Sequence, residues 1–237
     1  EGVPTVEFLL SSSSVSETSP TQTVQVSISG ASSSAVTVDY LVTAGSATAG
    51  ASNDYELSAG QLVFPAGSSA NQSLTVTIHD DLNWEGNETV QITLQNLVGS
   101  ATLGSKNPHT LTIQDDETQP QVHFLSTSSS VNESETIHDV FVSITSAAQS
   151  VISVEYVISS GTATNSVTGD YELPTSGWIT FPAGSSGNQQ VTLTIHDDSI
   201  WEDDETIQLT LQNPVVATLG SNNPHVITIN EDEVEPN

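Results

Sequence analysis

The chain contains the same sequence pattern twice, at a period of about 116 residues. Four segments recur almost unchanged: Asp-Tyr-Glu-Leu at 54–57 and 170–173, Phe-Pro-Ala-Gly at 64–67 and 181–184, Ile-His-Asp-Asp at 78–81 and 195–198, and Ala-Thr-Leu-Gly at 101–104 and 217–220. This period is far longer than a solenoid repeat and is close to the ~100 residues of a β-sandwich domain. We therefore predict two tandem copies of one domain, 1–117 and 118–237, with the boundary near Thr118–Pro120.

Apolar and polar residues alternate over most of each copy. In the first copy Val24, Val26 and Ile28 alternate with Gln25 and Ser27, and similar short runs are separated by Gly, Ser, Asn and Pro. Alternation with a period of two is typical of a strand with one buried face. The pattern predicts an all-β fold of two tandem immunoglobulin-like antiparallel β-sandwiches, each of about seven strands.

The charge of the chain excludes several classes of partner. There are 29 acidic residues and one basic side chain, Lys106, for a formal net charge of -28. Such a surface repels nucleic acids and anionic lipids and attracts cations. No apolar run approaches the ~20 residues of a membrane span. We predict no nucleic-acid partner and no membrane insertion, and the absence of Cys excludes disulfides.

The two ends of the chain are in phase with the repeat. Glu1 aligns with Glu117 and again with Glu233, so the chain starts and stops at the same point of the pattern. We expect it to have been cut from a longer array, in which neighbouring repeat domains of the same chain are its partners.

Acidic residues outside the strands recur at equivalent positions in both copies. The first copy contains Glu17, Asp54, Asp80, Asp81, Glu85, Glu88, Asp115, Asp116 and Glu117. The second copy contains Glu133, Asp170, Asp197, Asp198, Glu202, Glu205, Glu231, Asp232 and Glu233. Solubilising loop charge is the alternative interpretation, but general acidity would not require the same positions twice.

The expected topology brings each set of acids to one end of its sandwich, because alternate connections between up-and-down strands lie at the same end. Two like charges ~4 Å apart repel by ~4 kcal/mol at an effective dielectric constant near 20. A bound Ca²⁺, which accepts 6–8 oxygen ligands, removes this penalty. Carboxylates without Cys favour Ca²⁺ over Zn²⁺ or Cu²⁺. We predict calcium as the cofactor, with more than one ion per domain.

Several motifs together carry a family resemblance. They are Gly-Thr-Ala-Thr at 161–164 with Gly-Asp-Tyr at 169–171, Phe-Pro-Ala-Gly, Ile-His-Asp-Asp followed by Trp-Glu-x-x-Glu, and Ala-Thr-Leu-Gly before a last strand that ends in acids. Over nearly all of both copies the chain resembles the Calx-β (Calx-beta) family, known from sodium–calcium exchangers and extracellular proteins. The resemblance implies that the nine acids of each copy are calcium ligands and that Asn83 and Ile200 contribute backbone carbonyls.

The second copy departs from the first at its acidic end. Glu231 takes the place of Asp115, and Asp203 and Asp204 take the places of Gly86 and Asn87. A longer side chain loosens one ligand and the extra acids add charge, so we expect the two sites to differ in calcium affinity.

The remaining polar residues are interpreted as structural. Surface strand positions are predicted for His79, His109, His196 and His225, and an incidental role for His123 and His138. No nucleophile or zinc-protease motif is present, and the carboxylates lie on loops without the substrate cleft that a glycosidase needs. We predict that the chain is not an enzyme.

The leading functional hypothesis is a calcium-rigidified segment of a large extracellular or cell-surface protein, such as an adhesin or matrix protein. Scarce Lys and abundant Ser, Thr, Gly and Asn favour that location. Two alternatives remain open. One is a cytosolic Ca²⁺-sensing regulatory module of a transporter, and the other is a module that binds a protein or carbohydrate ligand through Ca²⁺.

Overall fold

The computed structural model describes residues 2–235, so that Glu1, whose phase was compared above, lies outside the described residues. Over this range the chain forms strands, and it contains no helix long and apolar enough to cross a membrane. The strands make four five-stranded sheets. The prediction of an all-β fold of two tandem sandwiches is confirmed.

Contacts between Cα atoms divide the chain into two compact units. The first unit contains the residues up to Asp81 together with Glu85–Glu117. The second unit contains the residues from Thr118 onward together with the short segment Leu82–Trp84. Each unit has a hydrophobic core of its own.

The first unit contains ten strands. They are β1 (Thr5–Phe8), β2 (Ser12–Ser16), β3 (Thr21–Ile28), β4 (Val36–Gly45), β5 (Tyr55–Glu56), β6 (Gly60–Phe64), β7 (Gln72–Ile78), β8 (Glu88–Val98), β9 (Thr102–Leu103) and β10 (His109–Gln114). One sheet has the order β5-β7-β3-β1-β9 and the other has the order β2-β10-β8-β4-β6.

The second unit repeats this arrangement. Its strands are β11 (Gln121–Phe124), β12 (Ser128–Asn132), β13 (Ile137–Ile144), β14 (Ile152–Gly161), β15 (Tyr171–Glu172), β16 (Ser176–Phe181), β17 (Gln189–Ile195), β18 (Glu205–Val215), β19 (Thr218–Leu219) and β20 (His225–Asn230). Its sheets have the orders β15-β17-β13-β11-β19 and β12-β20-β18-β14-β16.

The alternation in the sequence accounts for the cores. On β7 the side chains of Leu74, Val76 and Ile78 are buried, whereas the residues between them reach solvent. On β8 in the other sheet, Val90 and Ile92 are fully buried. Burial of an aliphatic side chain of this size contributes about 1.5–3 kcal/mol. Two inward-facing rows of this kind hold the two sheets of each sandwich together.

The strand pattern differs in two respects from a seven-stranded antiparallel sandwich. The exposed residues Leu9 and Leu10 separate two strands at the start of the unit. The first, β1, pairs antiparallel with β3, and the second, β2, pairs parallel with β10 in the other sheet. The short strand β9 also pairs parallel with β1. The second unit contains the equivalent pairs.

Two histidines occupy positions that the sequence analysis predicted wrongly. His109 and His225 begin β10 and β20, but each is only 2% exposed. Their rings hydrogen-bond to the hydroxyls of Ser13 and Ser129, respectively. The two rings are in phase with buried apolar residues of their strands, and only their polarity favoured the surface, because the sequence does not show a hydrogen-bonding partner on a neighbouring strand.

Candidate metal centre

Parallel pairing of β2 and β10 positions the first part of the site. Ser16 lies opposite Gln114, so both strands end at the same edge of the sandwich. Glu17 follows β2, is 6% exposed, and donates its backbone N–H to the carbonyl of Gln114 at 3.0 Å. The acids at 115–117 follow β10 directly. The strand register therefore places Glu17 beside Asp115–Glu117.

The short strand β5 positions the second part. Tyr55 lies opposite Ile78, the last residue of β7. Asp54 precedes Tyr55, and its carbonyl accepts a hydrogen bond from His79 N at 3.0 Å. This pairing brings Asp54 close to the segment that follows β7. Glu88 begins β8 opposite Ile113, near the end of β10, and so faces the same end of the sandwich.

Carboxylates of the first unit converge in three groups. In each group, one oxygen per residue lies within 4.8 Å of the others. The groups are Glu17 with Asp115 and Glu117, Glu17 with Asp80 and Asp116, and Asp54 with Glu85 and Glu88. These groups include eight of the nine predicted acids. The ninth, Asp81, lines a cavity of about 320 Å³ that Glu17, Asp54, Asp80 and Glu85 also line.

The second unit has two such groups among its described residues. They are Glu133 with Glu231, Asp232 and Glu233, and Asp170 with Glu202 and Glu205. Asp197 and Asp198 belong to neither group. Both line a cavity of about 180 Å³ together with Glu133, Asp170 and Glu202.

The two residues predicted to supply backbone carbonyls are Asn83 and Ile200. Asn83 falls in the Leu82–Trp84 segment, which belongs to the second unit. Ile200 is 64% exposed and donates its backbone N–H to Asp198 Oδ1 at 2.6 Å. Their roles as ligands stay predictions.

Backbone amides orient the central carboxylate of the first unit. Asp115 Oδ2 accepts hydrogen bonds from Glu85 N at 2.8 Å and from Gly86 N, and Oδ1 accepts one from Glu117 N at 3.0 Å. Similarly, Asp54 accepts a hydrogen bond from Thr48 N. These donors cannot be identified in the sequence, because any residue type except Pro supplies a main-chain N–H and only the loop geometry directs it.

In the second unit, Glu231 accepts two hydrogen bonds equivalent to two of the three that Asp115 accepts in the first unit. Its Oε2 accepts a hydrogen bond from Glu202 N at 2.5 Å, and its Oε1 accepts one from Glu233 N at 2.8 Å. The backbone N–H of Glu231 also donates to Asp204 Oδ1 at 3.1 Å. The longer Glu231 side chain thus reaches the loop of the second unit that is equivalent to the loop contacted by Asp115 in the first unit. The predicted difference in calcium affinity between the two sites stays a prediction.

Crowding of carboxylates raises their pKa values in the metal-free protein. Burial raises the pKa of Glu17 to about 9, with further contributions from Glu117 and Asp115. Burial also raises the pKa of Glu85 to about 8, and the negative charge of Asp54 adds to the effect. Protons therefore stand in for cations at this end of the first unit.

Carboxylate pKa values are also raised in the second unit. Burial, followed by the adjacent carboxyl group of Glu233, raises the pKa of Glu133 to about 8. Burial and the neighbouring Asp170 raise the pKa of Glu205 to about 7, the same value that Glu88 reaches in the first unit. The two ends are thus electrostatically alike although their carboxylate groups differ.

Several carboxylate oxygens in these groups are buried without a hydrogen-bond partner. They are Oε1 of Glu17, Glu85 and Glu133, Oε2 of Glu88, and Oε2 of Glu117 and Glu233. An anionic oxygen in this situation requires a cation. The only Lys or Arg of the chain is Lys106, whose Nζ lies 3.8 Å from Glu7 Oε1 and donates to the carbonyl of Leu9 at 3.0 Å, and Glu7 belongs to none of the groups. The donor set therefore fits a hard divalent cation such as Ca²⁺.

The fold and the site define a class: tandem β-sandwich domains, each with clustered carboxylates at one end. The model of the Calx-beta domain family matches residues 1–117 and again residues 115–233. The chain therefore belongs to the Calx-beta domain family and contains two of its domains in tandem.

Solved structures give further comparisons. CBD12 from CALX1.2 is 20% identical, with coverage of 94% of this chain and 99% of that one and a TM-score of 0.45. The calcium binding domain CBD12 of CALX1.1 is 20% identical, with coverage of 94% and 98% and a TM-score of 0.44. The apo-form Calx CBD1 domain is 28% identical, with coverage of 48% and 99% and a TM-score of 0.44. Comparison with curated proteins gives no significant match.

Proposed function

We propose that this chain is a pair of non-catalytic calcium-binding domains. The supporting observation is the set of buried carboxylate oxygens that have no hydrogen-bond partner, in a chain with one Lys and no Arg. The donors are oxygens, which suit Ca²⁺. When bound, Ca²⁺ supplies the positive charge that allows these carboxylates to be ionised together.

The separation of the carboxylates into groups supports more than one ion per domain. Glu17 belongs to two groups of the first unit, whereas Glu85 and Glu88 belong to a third. Asp80 lies in a group with Glu17, and the charge of its neighbour Asp81 acts on Glu85. Of these two consecutive acids after β7, Asp80 belongs to one group and Asp81 acts on a member of another, and we propose that they bridge two ions.

The connector between the two domains, Thr118–Pro120, supports a mechanical role by its position. Glu117 belongs to a carboxylate group of the first unit, and Thr118 begins the second unit. The carbonyl of Thr118 accepts a hydrogen bond from Ser146 Oγ at 3.3 Å, and that of Pro120 accepts one from Thr218 N at 2.9 Å. No residue separates Glu117, the last proposed ligand of the first unit, from Thr118 of the second unit. We propose that Ca²⁺ stiffens this joint in a large extracellular or cell-surface protein.

Calcium affinity tests the proposed location. Calorimetric titration of the full chain should give dissociation constants of about 10⁻⁴–10⁻³ M, the range of extracellular modules, and more than one ion per domain. Dissociation constants of about 10⁻⁷–10⁻⁵ M would instead favour the alternative of a cytosolic sensor. Absence of heat at millimolar Ca²⁺, with equilibrium dialysis showing no bound ion, would contradict calcium binding itself.

Small-angle X-ray scattering tests the mechanical role. We expect saturating Ca²⁺ to narrow the distribution of distances between the domains, because it fixes Asp115–Glu117 immediately before the connector. Glu117→Gln should weaken this narrowing. The matched control is Glu233→Gln, which changes the equivalent position of the second copy and leaves the connector intact. If the distribution is the same with and without Ca²⁺, the ions stabilise single domains and do not stiffen the chain.

A further inference from the structure

A hydrogen-bonded chain of three side chains in the second unit lies outside the carboxylate groups. We call it the Ser129 cluster, and it consists of His138, Ser129 and His225. Both His138 Nε2 and His225 Nε2 lie 2.8 Å from Ser129 Oγ. His138 is on β13 in one sheet, whereas Ser129 and His225 are on β12 and β20 in the other. The Ser129 cluster therefore connects the two sheets of the sandwich.

The protons of the Ser129 cluster can be placed from its partners. His225 Nδ1 lies 2.7 Å from the carbonyl of Ser126, which can only accept, so Nδ1 carries a proton. The neutral ring then accepts at Nε2, and its donor is the Ser129 hydroxyl. That hydroxyl has a single proton, so His138 must donate from its own Nε2. One arrangement of protons satisfies every bond.

An additional proton on His225 breaks this arrangement. His225 Nε2 would become a donor to the Ser129 oxygen, and the Ser129 hydroxyl would keep an acceptor only if His138 moved its proton from Nε2 to Nδ1, so the whole proton arrangement would have to reverse. The new positive charge would also be buried, because His225 is 2% exposed and packs beside Phe124, with ring centroids 5.4 Å apart. Both consequences disfavour the protonated ring in the folded state.

The groups around the Ser129 cluster do not reverse this preference. Burial, followed by the charge of His225, lowers the pKa of His138, although Asp139 and Glu135 act in the opposite direction. Burial lowers the pKa of His225 despite its hydrogen bond to Ser126. The cross-strand neighbours of the two histidines are Leu193 and Leu209, which do not titrate.

The first unit provides an internal comparison. Ser13 Oγ lies 2.9 Å from His109 Nε2, and His109 Nδ1 lies 2.8 Å from the carbonyl of Leu10. The strand register places Gln22 where the second unit has His138, since each is the second residue of its strand and lies opposite Val76 or Leu193, respectively. Gln22, Ser13 and His109 line a cavity of about 210 Å³. The first unit thus has one histidine of the pair and lacks the second.

We infer that the Ser129 cluster is an acid-sensitive latch that makes the second domain, and not the first, lose its connection between sheets when the pH falls below neutrality. A histidine with a lowered pKa in the folded state binds its proton more readily when unfolded. The stability that it contributes is therefore present above its ordinary pKa of 6.5 and is lost as the pH falls through the lower value of the folded state.

Calorimetric melting of the full chain in saturating Ca²⁺ between pH 7.5 and 5.0 tests this inference. Over this fall in pH, the melting temperature of the second domain should decrease by about 4–8 °C more in the wild type than in His138→Gln, which introduces the residue found at the equivalent position of the first copy. Gln22→His should introduce the same sensitivity into the first domain. The carboxylate groups are unchanged in both variants, so their titration cancels in the comparison. Equal pH dependence of the wild type and His138→Gln would overturn the inference.

Nitrogen NMR of the imidazole rings in the unmodified chain gives a second readout that does not depend on a variant folding. At pH 7.5 His225 should carry its proton on Nδ1 and His138 on Nε2. Both rings should titrate below pH 6.5. The opposite ring forms, or titration of both rings at an ordinary pKa, would show that Ser129 merely solvates two independent histidines.

Discussion

Removal of Ca²⁺ is expected to lower the melting temperature of the chain by ~10–20 °C near pH 8. Binding to the folded state alone stabilises it by about 2.7 kcal/mol when free Ca²⁺ is 100 times the dissociation constant. For a domain of ~100 residues, each kcal/mol shifts the melting temperature by about 4–8 °C. Six carboxylate oxygens that are buried without partners in the metal-free protein are the physical source of the effect.

The difference in melting temperature between the calcium-bound and metal-free proteins should widen as the pH rises. Glu17, Glu85 and Glu133 have pKa values raised to between about 8 and about 9 in the metal-free fold, against an ordinary value of 4.5. A raised folded pKa gives stability that is fully present below the unfolded pKa and is lost as the pH rises through the folded pKa. The metal-free protein should therefore lose stability from about pH 4.5 up to about pH 9, whereas Ca²⁺ compensates the ionised carboxylates.

Thermal melting at several pH values, with Ca²⁺ and with chelator, measures this difference. Mg²⁺ at the same concentration is the control for screening by divalent ions, because it prefers fewer carboxylates and retains its waters. We expect Mg²⁺ to give a much smaller rise than Ca²⁺. Identical melting curves with Ca²⁺ and with chelator would contradict the proposed calcium site, and an equal rise with Mg²⁺ would attribute the effect to screening.

The second large effect is expected from Glu17→Gln, and its sign depends on calcium. Glu17 is 6% exposed and belongs to two of the three carboxylate groups of the first unit. Loss of its charge should weaken calcium binding by the first domain about tenfold or more, since changes even in residues behind the ligands cost ~10–100-fold. In the metal-free protein at pH 8–9, the same substitution should raise the melting temperature, because a neutral amide avoids the cost of keeping Glu17 protonated beside Glu117 and Asp115, a cost that the raised pKa of about 9 reflects.

Two further variants separate this effect from a general loss of charge. Glu133→Gln changes the equivalent position in the second copy, so it should affect only the second calcium transition. Glu56→Gln removes an exposed acid on β5 that belongs to none of the carboxylate groups. It should leave unchanged both the calcium affinity and the melting temperature of the metal-free protein. Calcium titration followed by calorimetry checks the affinity. If Glu17→Gln behaves like Glu56→Gln, then Glu17 is not a ligand.

Much of the fold follows from local patterns in the sequence. The repeat defines two similar domains because copies of one sequence bury the same set of side chains. Period-two alternation, as in Leu74, Val76 and Ile78, defines strands because successive side chains of a strand point to opposite faces. The acids could be assigned to strand ends without knowledge of the topology, since each follows or precedes an alternating segment. For these features the neighbouring residues in the chain contain all the necessary information.

The tertiary structure decided which of these acids meet. Glu17 joins Asp115 and Glu117 because β2 leaves the first sheet and pairs parallel with β10, and the alternation marks only the point where β1 and β2 separate. In the same way, the sequence did not indicate that His225 and His138 share Ser129 as a hydrogen-bonding partner. These features depend on strands that are far apart in the chain. Their pairing is selected by the packing of whole sheets, and a pattern within one strand cannot specify the partner of that strand.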